Sequence, residues 1–168
     1  VVSASLLLAH TTQAEVDVSA SAAIANMYLW RGQDLGEGSA AVSGDLTVSM
    51  GVAYAGVWTS SGDSTLGQEY DLYMGYGGEA GDFSYDVSAW TYVYPGNDEE
   101  NGRGNTFDAS DLIVSLGYGP VSAAYYYVLA GDENASYATL GGEMGSFSAT
   151  LGFQMHSEDD SAEYTHLD

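Results

Sequence analysis

The side chains of this sequence that could do chemistry are mostly carboxylates, and nearly all of them lack a basic partner. There are 24 Asp and Glu residues against two Lys or Arg residues, with three His, no Cys and a formal charge of −22. Carboxylates at this density bind oxygen-preferring cations or concentrate cations in a narrow polar space, although acid-rich surfaces are also an adaptation to salty habitats. The composition argues against a nucleic-acid partner, since phosphates need Lys or Arg to displace their counterions.

Catalytic patterns are weak in comparison. No carboxylate stands at triad or metal-ligand spacing from His10, His156 or His166. The acidic run Asp98, Glu99 and Glu100 offers oxygen ligands for Ca²⁺ or Mg²⁺, but it lacks EF-hand spacing, and a solvated loop is the preferred interpretation. We therefore predict no enzymatic activity, no cofactor, and at most weak divalent-cation binding at these three acids.

The elements that position the acids are predicted to be β-strands. In the stretch from Tyr70 to Gly96, apolar and polar side chains alternate along two arms joined by a glycine-containing turn, which is typical of a β-hairpin. The same period of two recurs along the chain and predicts ten strands. They run roughly over Val16 to Arg31, Ala40 to Met50, Val52 to Ser60, Gln68 to Gly77, Phe83 to Tyr94, Phe107 to Tyr118, Val121 to Leu129, Tyr137 to Met144, Phe147 to His156, and Ala162 to the end.

The connections between these strands alternate between short and long. Short turns fall near Gly51, Gly78 to Asp82, Gly119 and Gly145, with longer polar segments between them. A short-long meander with about ten residues per strand is typical of a transmembrane β-barrel of the bacterial outer membrane. We therefore predict an all-β, antiparallel, up-and-down transmembrane barrel. Apolar and polar side chains also alternate along the strands of a soluble β-sandwich or lipocalin-like barrel, which remains the alternative fold.

One face of each strand is predicted to point outward, and it carries almost no charge. The outward residues are Val18, Ala20, Ala22, Ile24, Tyr28, Val42, Leu46, Val48, Met50, Leu72, Met74, Val87, Ala89, Leu112, Val114, Leu116, Val121, Ala123, Tyr125, Tyr127, Leu140, Phe147, Ala149, Leu151, Phe153 and Met155. Aromatic residues near strand ends predict two girdles at the headgroup level. The external girdle is Trp30, Trp58, Tyr70, Tyr94, Phe107 and Tyr137, and the periplasmic one is Tyr54, Tyr76, Phe83, Tyr118 and Phe147.

The opposite, inward face holds the candidate functional residues. Its carboxylates are Asp45, Glu69, Asp71, Asp86, Asp111 and Glu143, and its aromatic residues are Tyr73, Trp90, Tyr92 and Tyr126. Acids in a narrow polar lumen favour cations over anions. Arg31 is the only basic residue predicted in a strand; it either pairs with a lumen acid such as Asp45 and forms a constriction, or reaches headgroups or a loop carboxylate.

The two ends of the sequence predict processing and truncation. Residues 1–14 have the apolar core and small residues of the later part of a secretory signal peptide, which places the mature start near Glu15. Residues 15–168 then form the barrel domain. The last segment, "AEYTHLD", lacks the terminal aromatic residue expected of a bacterial barrel, so the domain is predicted to be truncated at its C-terminus.

Several segments carry a resemblance to a known family. "MYLWRG", "AYAGVW", "QEYDLYMGYGGEAGDFSYDVSAWTYVYPG", "LIVSLGYG" and "SAAYYY", in this order, make the chain from Val16 onward resemble the TorF family of small proteobacterial outer-membrane porins. The family pattern has polar or charged residues just before the Arg-Gly pair of the first strand, where this chain has Met27 and Leu29. The resemblance implies a secreted outer-membrane barrel of about twelve strands, a channel function and no catalytic residues.

Together these patterns predict passive, cation-preferring passage of ions or small polar solutes. The expected partners are outer-membrane lipid, lipopolysaccharide and, during biogenesis, the barrel-assembly machinery. The alternative is a nonconducting barrel with a structural or surface-interaction role through its acidic external loops.

Overall fold

The protein is built almost entirely of strands, as its alternating sequence predicts. The computed structural model describes residues 15–96 and 103–168. Its strands are β1 Val16–Ala25, β2 Leu29–Trp30, β3 Gln33–Asp34, β4 Ala41–Met50, β5 Ala53–Asp63, β6 Gly67–Ala80, β7 Phe83–Val93, β8 Ser110–Tyr118, β9 Val121–Ala130, β10 Ala135–Met144, β11 Phe147–His156 and β12 Tyr164–Leu167. Within these ranges, a 3-10 turn at Asp160–Ala162 is the only helical element, and no helix is long and apolar enough to cross a membrane.

Ten of the strands form one antiparallel, up-and-down sheet. Their order is β1-β4-β5-β6-β7-β8-β9-β10-β11-β12, and β2 and β3 pair separately with each other. β1 and β12 are the two edges of the sheet. The predicted all-β meander of ten strands is therefore confirmed, and the ninth predicted strand, Phe147 to His156, agrees with β11 to the residue.

The connections alternate in length as predicted. Two residues each join β4 to β5, β6 to β7, β8 to β9 and β10 to β11, and Gly51 and Gly145 open two of these turns with φ of 65° and 64°. A positive φ at this position suits the primed turns that match the twist of paired strands. The connections at the other end of the sheet are longer, and residues 26–40 and 94–109 span the two longest.

The first predicted strand, Val16 to Arg31, is wrong in its second half. β1 ends at Ala25, and the chain then turns back on itself in the β2–β3 hairpin. Arg31 and Gly32, at the tip, have φ of 48° and 77°, which is the left-handed conformation of a two-residue hairpin turn. Tyr28 does not point outward as predicted, because it enters this hairpin and is buried.

The strand register places apolar side chains on one face of the sheet throughout. Leu46 stands opposite Val57, and Val57 opposite Leu72, so the three share one face across β4, β5 and β6. Most of the large residues of this face are exposed, including Leu72 at 44% and Met74 at 65%. The other face carries the polar residues, and we call it the inner face.

Contacts across the inner face show that the sheet is strongly curved. Arg31 contacts Asp111 of β8 through its side chain, and its backbone carbonyl accepts a hydrogen bond from Tyr164 of β12. β1, which ends six residues before Arg31, and β12 are opposite edges of the sheet and would lie about 43 Å apart if the sheet were flat, because neighbouring strands are spaced by about 4.8 Å. Six residues of extended chain span at most about 22 Å, so Arg31 reaches β12 only because the sheet bends around it, and the inner face is therefore concave.

Candidate functional site

Four of the six predicted inward carboxylates accept hydrogen bonds from tyrosine hydroxyls on the inner face. Tyr73 donates to Asp45 at 2.7 Å, Tyr54 to Asp86 at 2.6 Å, Tyr92 to Asp111 at 3.0 Å, and both Tyr94, at 2.6 Å, and Tyr28 donate to Glu69. Glu69 is the most buried large side chain of the described residues, at 1% exposure. These neutral donors stabilise the carboxylates without cancelling their charge, so the inner face remains strongly acidic.

Glycines allow tyrosines to reach acids two strands away. Tyr73 on β6 crosses β5 at Gly56 to reach Asp45 on β4, and a Cβ at Gly56 would collide with the Tyr73 ring and with a backbone oxygen of β4. Tyr54 on β5 likewise crosses β6 at Gly75 to reach Asp86 on β7.

The same arrangement recurs near the edge of the sheet. The Tyr137 hydroxyl and His166 Nε2 meet at 2.7 Å over Gly152 of the intervening strand, β11. Inward glycines paired with large inward residues on the next strand are therefore the sequence signal that could have revealed these contacts.

Arg31 pairs with Asp111 rather than with Asp45. Its Nη2 lies 2.6 Å from Asp111 Oδ2, and both side chains are at most 8% exposed. Three aromatic rings surround the guanidinium: the distances from Cζ to the ring centroids are 4.3 Å for Trp30, 5.0 Å for Tyr126 and 4.8 Å for Tyr137. The expectation that Arg31 meets an inward acid therefore agrees with the structure, whereas the suggested partner and the strand position were wrong.

The remaining two predicted acids differ from the other four. Asp71 is buried beside Glu69, and its Oδ1 has no hydrogen-bond partner within the described parts of the chain. Glu143 lies next to the tight turn at the end of β10 and is exposed. Asp71 therefore lies with the four tyrosine-bonded carboxylates of the inner face, whereas Glu143 does not.

All four predicted inward aromatic residues lie on the inner face, and several residues assigned to the girdles join them. Tyr73 stacks on Trp90 with ring centroids 4.3 Å apart. Tyr54, Trp58, Trp30, Tyr94 and Tyr137, predicted to lie at the headgroup level, instead contact other residues of this face. Closeness to a strand end does not determine which face a side chain occupies; the register does. The six other girdle residues, Tyr70, Tyr76, Phe83, Phe107, Tyr118 and Phe147, are exposed.

A cavity of about 380 Å³ opens on the inner side of the sheet, at the end with the longer connections. The β2–β3 hairpin and the segment that follows contribute Trp30, Arg31, Gln33 and Leu35 to its wall. Arg103, the other basic residue of the sequence, lines it as well. A cavity of this size could hold a small polar solute.

Acidic residues of the longer connections stabilise local structure. His156 Nε2 lies 3.2 Å from Asp132 Oδ2, which links the β9–β10 connection to the end of β11. Asp159 caps the 3-10 turn, and hydrogen bonds from the hydroxyl and backbone amide of Ser161 lower the pKa of this carboxyl. Among the described residues no three His, Asp or Glu side chains are placed to hold a metal, and Asp98, Glu99 and Glu100 lie outside those residues.

Comparison with known proteins places the chain in a family without assigning it an activity. A family model described as "Bacterial protein of unknown function (Gcw_chp)" matches residues 9–166. No curated protein and no solved structure matches the chain. These comparisons therefore assign no function to the chain.

Proposed function

We propose a function from geometry, because the chain belongs to the bacterial family of unknown function Gcw_chp, whose model matches residues 9–166. The proposed protein is an outer-membrane β-barrel that gives passive, cation-preferring passage to ions or small polar solutes. The observation that carries the proposal is the inverted distribution of side chains. Among the described residues, Ile113 is the only large aliphatic side chain that is buried, whereas acids such as Glu69 and Asp111 are at most 4% exposed.

This inversion suits a lipid environment. A soluble monomer rarely exposes a continuous apolar face, and it buries carboxylates only when they are paired. In a transmembrane barrel the apolar face contacts lipid and the polar face lines the interior. We therefore interpret the face that carries Leu46, Leu72 and Met74 as the lipid-facing surface.

Closure of the sheet is part of the proposal. In a bilayer the open hydrogen-bonding groups of the edge strands β1 and β12 cannot be left unpaired, so only a closed barrel satisfies them. The curvature that brings Arg31 into contact with β8 and β12 supports closure. The tight turns then lie on the periplasmic side, and the longer acidic connections face lipopolysaccharide outside.

Two further supports come from chemistry and from sequence. The inner carboxylates favour cations over anions, because acids in a narrow polar space repel anions. The resemblance of "MYLWRG" and the segments after it to the TorF family of porins points to the same function. Assembly by the barrel-assembly machinery follows from the same proposal.

One observation favours a second candidate, a nonconducting barrel with a structural or surface-interaction role. The interior is crowded, since Tyr73 and Trp90, opposite each other on β6 and β7, stack on the inner face and the β2–β3 hairpin occupies part of the concave side. Barrels of about eight strands are filled by their side chains, and only larger ones leave an aqueous channel. A ten-stranded sheet lies close to this limit, so conductance separates the two candidates.

The test of location and passage uses the full-length protein. We expect it in the outer-membrane fraction, with faster gel migration before heating than after it, and we expect discrete current steps when it is reconstituted in planar bilayers. A freely soluble protein would contradict the membrane assignment. A heat-modifiable protein without current steps would favour the nonconducting barrel.

Removing inner carboxylates should reduce the cation preference. In the variant Asp71→Asn with Asp86→Asn, we expect the reversal potential in a salt gradient to move toward zero, because interior negative charge is lost. The matched control is Glu79→Gln with Glu143→Gln, which removes two carboxylates from exposed strand ends. Equal reversal potentials in the two double variants would mean that the inner acids do not line the conducting path.

A further inference from the structure

The β2–β3 hairpin is folded into the concave side of the sheet instead of extending away from it. Its tip is Arg31, whose side chain is only 8% exposed. Arg31 donates to Asp111 on β8 and contacts the rings of Tyr126 on β9 and Tyr137 on β10. The tip of a surface hairpin would be hydrated, so this one is held inside by specific contacts.

The base of the hairpin is anchored on the other half of the sheet. The Tyr28 hydroxyl donates to the buried Glu69 on β6. The Leu35 amide donates to the Tyr28 carbonyl at 2.8 Å, and the Leu35 carbonyl accepts from both the amide and the hydroxyl of Ser64. The hairpin therefore bridges the inner face from β6 to β12, where Tyr164 donates to the Arg31 carbonyl.

Arg31 also places a positive charge on the otherwise acidic inner face. It is one of two basic residues in a chain with a formal charge of −22, and it lies among carboxylates rather than on the surface. Its guanidinium neutralises Asp111 and opposes the entry of other cations at that level. Its bulk and its charge are therefore placed at the same point of the interior.

We propose, resting on the passage proposed above, that the β2–β3 hairpin is the constriction of this passage and that Arg31 is its specificity-determining residue. The Arg31–Asp111 ion pair holds the hairpin across the interior. The cavity of about 380 Å³, whose wall includes Trp30, Gln33 and Leu35, is the vestibule next to the constriction. Solutes that pass between the vestibule and the tight-turn end must pass the hairpin.

Single-channel recording of the refolded full-length protein tests this proposal with a control that the chain itself supplies. Arg31→Ala and Arg103→Ala remove the same charge, but Arg31 is buried at the hairpin tip whereas Arg103 is exposed. We expect Arg31→Ala to raise the conductance at least about twofold and to increase the cation preference. Arg103 lines the vestibule rather than the constriction, so we expect Arg103→Ala to raise the conductance less than Arg31→Ala does.

Asp111→Asn separates displacement of the hairpin from loss of charge. It releases Arg31 but keeps the positive charge, so the conductance should rise as it does in Arg31→Ala. The selectivity should shift the other way, toward anions, because a carboxylate has been lost. A change in selectivity without a change in conductance in both variants would mean that the hairpin does not limit the passage.

Trypsin provides a readout that needs no conduction. The printed sequence has two trypsin sites, Arg31 and Arg103. In the folded protein we expect cleavage after Arg103 and protection of Arg31, and we expect Asp111→Asn to expose Arg31 while heat-modifiable migration shows that the barrel is still folded. Equally fast cleavage at both sites in the natural chain would overturn the proposal, because the hairpin would not be held inside.

The outcomes distinguish this proposal from the passage itself. If the natural chain conducts and Arg31→Ala behaves like Arg103→Ala, only the hairpin proposal fails. If the natural chain is silent and Arg31→Ala conducts, the hairpin closes the passage completely, and the proposal holds in its strongest form. If neither conducts, there is no passage for the hairpin to limit, and both proposals fail.

Discussion

Replacing Met74 by lysine should lower the free energy of unfolding in lipid by about 2–4 kcal/mol, which is the typical cost of a lysine on the lipid face of a barrel at the bilayer midplane. Met74 lies midway along β6 on the apolar face, and its neighbours on the adjacent strands are the small residues Ala55 and Ala89. These two neighbours therefore offer a lysine neither a counter-charge nor shielding from lipid. The measurement is a denaturant titration of the refolded protein in lipid vesicles, followed by tryptophan fluorescence.

The matched control is Met144→Lys. Met144 is also exposed and apolar, but it lies beside the tight turn at the end of β10. A lysine near the interface costs only about 0–1 kcal/mol. In a soluble protein both positions would be ordinary surface, and substitutions there usually change stability by less than about 0.5 kcal/mol. Equally small effects at both positions would therefore contradict the membrane proposal, whatever the conductance shows.

Replacing Glu69 by alanine should have the largest effect of any inner-face substitution. Glu69 accepts hydrogen bonds from Tyr28 and Tyr94, and removing it leaves two buried hydroxyls without an acceptor. Each unpaired buried group costs about 1–3 kcal/mol, so the expected loss is about 2–6 kcal/mol.

The control for this prediction lies on the same strand. Glu79→Ala removes an exposed glutamate near the end of β6, and its effect should be small. Glu69→Gln keeps one carbonyl acceptor and should give an intermediate loss. Equal midpoints of denaturant unfolding for Glu69→Ala and Glu79→Ala would mean that the two tyrosines find other acceptors, and the base of the β2–β3 hairpin would then not depend on Glu69.

Much of the fold follows from local pattern. Alternation along the segments containing Leu46, Leu72 and Met74 predicted their shared face correctly, because side chains in a strand point alternately to opposite sides whatever lies far away in the chain. The tight turns at Gly51 and Gly145 were also predictable, since primed turns favour glycine. These features need only a few neighbouring residues.

The interior was harder to predict. Their position along a strand predicts Tyr54 and Tyr137 in the girdles, but the register turns them inward, where Gly75 and Gly152 leave room for them. For Asp86, by contrast, the alternation of side chains along the strand predicts the inner face correctly, although its partner Tyr54 is predicted elsewhere. The alternation of side chains along a strand gives the face on which a residue lies, but it does not show which residue two strands away will contact it.

The sequence by itself determined the all-β class, the order of the long strands and the separation of apolar from acidic faces, because each of these depends on a period of two and on local turn chemistry. Only the tertiary structure decided the course of residues 26–40 and the partner of Arg31. Arg31 and Asp111 are 80 residues apart in the chain, and no local pattern encodes their contact. It forms because a curved sheet leaves one concave acidic space, and a guanidinium held there needs both a carboxylate and aromatic rings to replace the water it loses.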